Sequence, residues 1–261
     1  VELSKQGIGG ISFARIGWSV NDVVQTPYNW SGNIARYNTG NATIASNYTF
    51  SGATNYNLKV WVENPNGNTD CNNGNDTALV QNLTMPLNGV YTLGGVSPDF
   101  VSFSELATVL NSAGQVGPVT INVRDGVYQD QFSISDITGN SFVNTLTIQG
   151  ESGDSSLVTL QYSTSSDVVD YTCHFNSIKA LTLRDMKFSR IDNNSSGENA
   201  LLYFSSCESA VLSNCILRGY RYSSGASSTS YNSRHTKIEA SSLDVLDCLF
   251  EAGGLYILNS S

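Results

Sequence analysis

The fold is decided by the stretch FNSIKALTLRDMKF at Phe175–Phe188, because FSSCESAVLSNCIL at Phe204–Leu217 repeats its pattern without a gap. These two copies lie about 29 residues apart, and a third, LDVLDCLF at Leu243–Phe250, follows the second at an offset of about 33 residues. Internal repeats of this length are typical of solenoids, in which each unit buries its apolar face by stacking on its neighbours. The sequence therefore predicts a solenoid.

Within one repeat, apolar and polar residues alternate, and the alternation changes phase once, at Asp185. Side chains along a strand switch faces with period two, so the pattern predicts two short strands joined by a tight corner. Asp and Asn tolerate left-handed backbone, so Asp185 and its equivalents Asn214 and Asp247 predict a stack of corners, one above another. The apolar residues expected to point inward are Leu181, Leu183, Met186 and Phe188.

The repeated pattern L-x-L-x-[ND]-C-x-[FL] resembles the right-handed parallel β-helix of the pectin-lyase-like superfamily, over residues 116–261. The resemblance implies an all-β fold for this part of the chain. That superfamily contains lyases, hydrolases, phage tailspikes and adhesins, so the resemblance implies a fold and leaves the activity open.

One helix is predicted ahead of the repeats. Ser102 and Glu105 form a capping box, the apolar residues that follow have helical spacing, and Gly114 ends the pattern. A solenoid needs its open end covered, because unpaired strand edges invite aggregation. We therefore expect residues 99–261 to form a capping α-helix followed by the β-helix, with further coils beyond Ser261.

Residues 1–86 read as a separate antiparallel module. Ile16, Trp18 and Val20 alternate up to a turn at Asn21, and Tyr56–Val62 alternates again. Short strands with Gly and Asn turns at this spacing predict an immunoglobulin-like β-sandwich. Residues 87–98, rich in Gly and Pro, are predicted to be an irregular linker.

The wording of this module resembles the cell-adhesion-related domain found in bacteria, CARDB, in the versions carried by very large surface proteins of Bacteroidetes. The resemblance implies that the first strand of the domain precedes Val1. It also implies export by type IX secretion and a link to gliding motility. The matching stretches are Trp18–Asn21, Gln25–Gly32, Asn64–Gly67 and Asn75–Thr77.

Composition limits the partners of the chain. Its net charge of −9 and pI near 4.5 repel phosphate backbones and anionic lipid, which argues against nucleic-acid and membrane partners. Only 13% of the residues are charged, while Asn, Ser, Thr and Gly are abundant, as in extracellular β-proteins. We expect an extracellular, cell-surface location.

The five cysteines include no CxxC pair, and His174 and His235 have no clustered ligands beside them, so a structural zinc site is not expected. Both histidines are interpreted as structural or solvent-facing. Cys215 and Cys248 occupy equivalent inward positions in consecutive repeats, where stacked residues lie about 4.8 Å apart. They can be joined by a disulfide or can remain buried free thiols, and we favour free thiols.

Asp185 and Asp247 are the candidate catalytic residues, because two coils would place their carboxylates about 9–10 Å apart, near the upper end for an inverting glycosidase. Asn214 lies between them in the same corner stack, and corner residues bond the backbone. We favour the structural interpretation.

Three further candidate sites follow from local sequence. Asp70, Asn72 and Asp76 offer oxygen ligands for calcium, the only cofactor that the sequence suggests, although a plain turn needs the same residues. Thr77 lies in an Asp-Thr-Ala motif that resembles the Bacteroidetes O-glycosylation acceptor. A stretch that offers rings on which a sugar can stack contains Tyr220, Arg221 and Tyr222.

Two classes of function fit these predictions. The first is a non-enzymatic segment of a large secreted adhesin or structural surface protein, whose partners are a surface glycan or another extracellular ligand, the rest of its own polypeptide and the secretion machinery. The alternative is a polysaccharide lyase or glycoside hydrolase of the pectin-lyase-like superfamily. No acidic cluster repeats on adjacent coils, which favours the first class.

Overall fold

The computed structural model describes residues 1–5, 9–44, 48–50, 55–70, 72–162, 171–190, 199–219, 233–239, 241–251 and 254–258. The chain forms two compact units, Val1–Met85 and Pro86–Ser261. Each unit has its own sheets.

The first unit is antiparallel throughout. Its larger sheet places β3 and β4 along one edge of β2, with β6 on the other edge and β7 beyond it, while β1 pairs with β5 in a second, two-stranded sheet. The strands are β1 (Glu2–Ser4), β2 (Ile11–Val20), β3 (Val23–Val24), β4 (Tyr28–Ile34), β5 (Thr39–Asn41), β6 (Tyr56–Glu63) and β7 (Thr77–Leu83).

Ile16, Trp18 and Val20 of β2 are buried as predicted, but Gly17 and Ser19 between them are buried as well, so burial does not alternate here. Gly17 between them lies against the indole of Trp61, and a Cβ at Gly17 would be 2.3 Å from that ring, so only glycine fits there. Leu3 of β1 and Ala42, which directly follows β5, join side chains of β2 and β4 in one buried cluster, so the two sheets share a core. The immunoglobulin-like topology remains a prediction.

The second unit is a parallel β-solenoid of three sheets. Sheet 1 has the order β8-β9-β12-β15-β18-β21, sheet 2 the order β10-β13-β16-β19-β22, and sheet 3 the order β11-β14-β17-β20-β23. Its elements are β8 (Leu87–Leu93), α1 (Phe103–Ala113), β9 (Gln115–Val123), β10 (Gly126–Gln129), β11 (Phe132–Ser135), β12 (Leu146–Gly150), β13 (Val158–Tyr162), β14 (Tyr171–Asn176), β15 (Leu181–Arg184), β16 (Lys187–Arg190), β17 (Asn199–Ser205), β18 (Ala210–Ser213), β19 (Ile216–Arg218), β20 (Ser233–Glu239), β21 (Leu243–Leu246), β22 (Leu249–Glu251) and β23 (Gly254–Leu258).

Five successive coils run from β9–β11 to β21–β23, each contributing one strand to every sheet. The register confirms the predicted stacking, because Leu183 pairs with Leu212 and Leu212 with Val245. Ile121 and Ile148 continue the same column toward the first coil. The parallel solenoid of the β-helix prediction is therefore confirmed, and its right-handedness remains a prediction.

The helix α1 begins and ends as predicted. Ser102 accepts a hydrogen bond from the backbone N–H of Glu105, while the Glu105 carboxylate accepts from the backbone N–H of Val101 rather than from that of Ser102. Its buried Phe103 meets Phe132 of β11 edge-on, with ring centroids 5.4 Å apart.

The described part of the chain contains no helix with the length and hydropathy of a membrane span.

The predicted linker at 87–98 is wrong in its first half. Leu87–Leu93 is a strand that pairs in parallel with β9 and extends sheet 1 by one position. Gly89 adopts a φ of 104° where the register shifts, so this glycine marks an irregularity within the strand rather than its end. Tyr91 and Leu93 are buried there.

Candidate functional site

The outer face of sheet 3 carries two rows of polar and aromatic side chains that run across successive coils. Residues at these positions alternate with the inward column, so each row repeats once per coil at strand spacing. We call these eight residues the sheet-3 face. The first row is Ser133, His174, Tyr203 and Lys237, and the second is Ser135, Asn176, Ser205 and Glu239.

Rings of the first row stack along the solenoid. The His174 and Tyr203 rings lie 4.4 Å apart at an angle of 11°, and the Tyr171 ring lies 5.0 Å from that of His174. The Lys237 ammonium lies 4.5 Å from the centre of the Tyr203 ring, on which it makes a cation–π contact. These contacts order the ring faces against one another.

The second row is a chain of hydrogen bonds that determines which ring nitrogen of neutral His174 carries the hydrogen. The Asn176 amide donates to the Ser135 hydroxyl at 2.9 Å, and the Ser205 hydroxyl donates to the Asn176 amide oxygen at 2.9 Å. The Ser205 oxygen, which has already given its hydrogen away, therefore accepts from His174 Nε2 at 3.0 Å. Neutral His174 carries its hydrogen on Nε2, and Nδ1 is the basic atom.

The fourth position of each row holds one member of a charged pair. Lys237 Nζ lies 2.8 Å from Glu239 Oε1, and the Tyr203 hydroxyl donates to the other Glu239 oxygen. Burial and the hydrogen bond to Glu239 raise the pKa of Tyr203. Burial lowers the pKa of His174, an effect that Glu239 opposes and Lys237 reinforces. The face therefore presents a neutral imidazole and a neutral phenol beside an ion pair at neutral pH.

The predicted corner stack is confirmed, since Asp185, Asn214 and Asp247 have φ values of 57°, 50° and 52°. The backbone N–H groups of the first two donate to carbonyls of the next coil. Asp185 donates to Ser213, and Asn214 donates to Leu246. The Asn214 amide also donates to the Asp185 carboxylate at 2.8 Å. Asn214 thus lies between the two candidate catalytic carboxylates and binds one of them, and a catalytic role for Asp185 and Asp247 remains untested.

A second corner stack, which the sequence did not predict, follows sheet 3. Asp136, Ser177 and Ser206 have φ values of 48°, 55° and 55°, and their backbone N–H groups also donate to carbonyls of the next coil. Serine seldom adopts left-handed backbone, so composition gave no signal at Ser177 and Ser206. The signal that was available is positional, because Ser177 and Ser206 occupy the same place in the aligned repeats.

The calcium candidates lie in the first unit, beside a cleft of about 500 Å³ whose lining includes Trp61, Asp70, Asp76 and Thr77. Partial burial, the charge of Asp70 and a hydrogen bond with it raise the pKa of Asp76. Asp70 and Asn72 also accept backbone N–H groups within their own loop, as in ordinary turns. Among the described residues no three His, Cys, Asp or Glu side chains gather as a metal site, and calcium binding remains a prediction.

The remaining candidates fall differently. Tyr220, Arg221 and Tyr222 lie outside the described residues, as does Cys71. Thr77 is exposed at the start of β7, and its glycosylation remains a prediction. Cys215 and Cys248 are free thiols, the first buried and the second partly buried.

Comparison with known proteins adds little beyond the fold. No protein-family model matches the sequence. No curated protein matches it. Among solved structures, a pectin methylesterase in complex with a hexasaccharide is similar at 16% identity and a TM-score of 0.38, covering 63% of this chain and 54% of that one. The pectin methylesterase of Aspergillus niger is similar at 13% identity and a TM-score of 0.34, covering 68% of this chain and 83% of that one.

The chain thus spans about half the length of the first of these enzymes. At such identities and TM-scores the likeness carries no inference about activity. The assignment of the second unit as a parallel β-solenoid is established by its own strand register.

Proposed function

We propose that this chain is a structural, ligand-presenting segment of a large secreted cell-surface protein, and that its sheet-3 face binds an extracellular glycan without cleaving it. The solenoid supports a structural role, since stacked coils give a rigid body that presents a row of side chains at regular spacing. The low charged content and abundant Asn, Ser and Thr support an extracellular setting.

The observation that carries the proposal is that two carboxylates of the candidate surfaces, those of Asp185 and Glu239, are already bound by neighbouring side chains. Asp185 holds the Asn214 amide, and Glu239 holds both Tyr203 and Lys237. A general acid or base needs a proton that it can exchange with the substrate within hydrogen-bond reach. Carboxylates used in this way stabilise the stack and orient polar edges for binding.

The finer assignment rests on the sequence resemblance described above. We propose an adhesin-like protein of a Bacteroidetes-type bacterium, exported by type IX secretion and linked to gliding or surface attachment. In this proposal the first unit is a CARDB-like, immunoglobulin-like spacer, and α1 is the N-terminal cap of a right-handed β-helix. The contacts of α1 with β11 through Phe103 and Phe132 support the capping role.

The proposal is tested by affinity electrophoresis of the purified chain in gels that contain neutral or acidic polysaccharides, together with a reducing-end assay for cleavage with and without calcium. We expect retardation without turnover. Lys237→Met should weaken retardation at least threefold, whereas the matched change Lys179→Met, at an exposed turn residue, should leave it unchanged.

Two results would overturn the proposal in different ways. Turnover that Asp185→Asn or Asp247→Asn abolishes would establish the alternative, a polysaccharide lyase or glycoside hydrolase. Equal retardation of the Lys237→Met and unmodified chains, each with an unchanged circular dichroism spectrum, would move binding away from the sheet-3 face.

A further inference from the structure

The cysteines that follow two stacked corners lie side by side in adjacent coils. Cys215 comes directly after Asn214 and Cys248 directly after Asp247, and these corner residues both have left-handed backbone. The backbone N–H of Leu249 donates to the Cys215 carbonyl at 2.8 Å. Cys215 and Cys248 are therefore neighbours across the parallel stack, at a strand spacing of about 4.8 Å.

Their side chains adopt the same placement. Cys215 Sγ lies 3.3 Å from the Ser213 carbonyl oxygen, and Cys248 Sγ lies 3.3 Å from the Leu246 carbonyl oxygen, two residues back in each case. Because the two corners repeat by translation, both thiols point to the same side of the stack. In the preceding coil Met186 holds the equivalent position, so the run of stacked cysteines begins at Cys215.

We propose that Cys215 and Cys248 form a reversible disulfide that joins the fourth and fifth coils. Neighbouring strands place the two Cα atoms within the roughly 4.4–6.8 Å that disulfides span. Parallel side chains stand wider apart than the Cβ spacing of about 3.8 Å in a relaxed disulfide. The bond therefore carries strain and is easily reduced again.

The chemistry requires an oxidant of the disulfide class, such as oxidised glutathione. The Cys248 thiolate attacks one sulfur of the oxidant and expels the first thiol, which leaves a mixed disulfide on Cys248. The Cys215 thiolate then attacks the Cys248 sulfur and expels the second thiol. Two thiol hydrogens and two electrons pass from the protein to the oxidant, which becomes two thiols.

The environment of the two sulfurs sets the order of these steps. Cys215 is 1% exposed, whereas Cys248 is partly exposed and within reach of an oxidant. A hydrogen bond from the Cys215 thiol lowers the pKa of Cys248 to about 7, and the same bond together with burial raises the pKa of Cys215. Cys248 is therefore the attacking sulfur, and Cys215 is the resolving one.

The test treats the whole chain with oxidised glutathione, blocks free thiols with iodoacetamide in denaturant, and maps the peptides by mass spectrometry. We expect a linked peptide pair that contains Cys215 and Cys248, lost on treatment with dithiothreitol. The oxidised chain should melt higher by on the order of 5 °C. Cys207→Ser, at a buried cysteine outside this pair, should keep both results, and Cys248→Ser should lose both.

Three outcomes would overturn the inference: alkylation of both cysteines after oxidation, a stable glutathione adduct on Cys248 that Cys215 does not resolve, or linkage of either cysteine to a different partner. The peptide map of the unmodified chain decides between these outcomes even if the Cys248→Ser variant fails to fold. The inference is independent of glycan binding, which is measured separately.

Discussion

Sheet 3 stacks rings on both of its faces, and the two stacks differ in what holds them. Inside, Phe175 and Phe204 lie with their centroids 5.0 Å apart at 26°, fully buried. Outside, His174 and Tyr203, one residue back in each strand, lie 4.4 Å apart at 11° and are half-buried. The same register therefore aligns both pairs.

The difference shows how one repeat serves two purposes. The inner pair needs only to fill volume, because burial of apolar area and packing stabilise it. Each ring of the outer pair has a polar edge that needs a partner, and Ser205 and Glu239 supply these partners. Stability is thus concentrated inside, and the outer stack carries the polar groups that a ligand would meet.

The largest expected effect comes from breaking the inner stack. Phe204→Ala should lower the free energy of unfolding by about 3–5 kcal/mol, because it leaves a cavity between the coils on either side. Phe204→Leu, which keeps most of the volume, should cost under about 1.5 kcal/mol. Urea unfolding followed by circular dichroism measures both, and equal losses for the two variants would show that the site collapses without a cavity.

Breaking the outer stack should cost less. Tyr203→Ala removes a stacked ring and a hydrogen bond at a half-buried site, and we expect a loss of about 1–2 kcal/mol. Tyr203→Phe keeps the ring and separates the two contributions. A loss as large as that of Phe204→Ala in the same urea experiment would contradict the division between the faces.

The inner column also contains a polar residue whose removal should stabilise the chain. Thr236 is fully buried, and its hydroxyl has no hydrogen-bond partner among the described residues. Thr236→Val should raise the free energy of unfolding by about 1 kcal/mol. The matched control is Thr172→Val, since the equally buried Thr172 hydroxyl donates to the Ser189 carbonyl at 3.4 Å; this change should destabilise. The same sign for both variants would contradict the expectation.

The smallest effect concerns pH and the outer face. Burial lowers the pKa of folded His174 below its unfolded value of about 6.5, so between these two values the unfolded chain binds more protons. Stability is full above about pH 6.5 and falls as the pH drops toward the folded pKa, by an amount that solvent screening reduces. His174→Gln should flatten that part of the curve of unfolding free energy against pH. An unchanged slope would assign it to other groups.

The residues of the inner face could be predicted from the sequence, because the alternation of apolar and polar residues is visible within a single strand. The alternation over Leu181–Arg184 shows that Leu181 and Leu183 point inward. Asp185 ends this strand because Asp tolerates left-handed backbone. The outer stack depends on which residue of one coil meets which residue of the next. The gapless repeat, at an offset of 29 residues, aligns His174 with Tyr203, whereas Lys237 lies 34 residues after Tyr203 and not the 33 of the repeat, so its place beside Tyr203 was not predicted.

The missed strand and the missed corners have a related cause. Leu87–Leu93 contains glycine and precedes further glycines, and composition alone treats these residues as breaks, although the strand accommodates Gly89 as an irregularity. Ser177 and Ser206 adopt left-handed backbone because the stack holds their N–H groups against the next coil. Tertiary contacts, and not intrinsic preference, decide these positions.

Because of the corner stack, one coil can be duplicated as a unit. The backbone N–H groups of Asp185 and Asn214 each donate a hydrogen bond to the next coil. Each accepting carbonyl belongs to the strand that ends at the next corner. A duplicated copy of residues 185–213 inserted after Ser213 would bring its own corner and its own acceptor. A protein of this kind can therefore be lengthened by whole coils, in evolution or in the laboratory, without a new type of contact between coils.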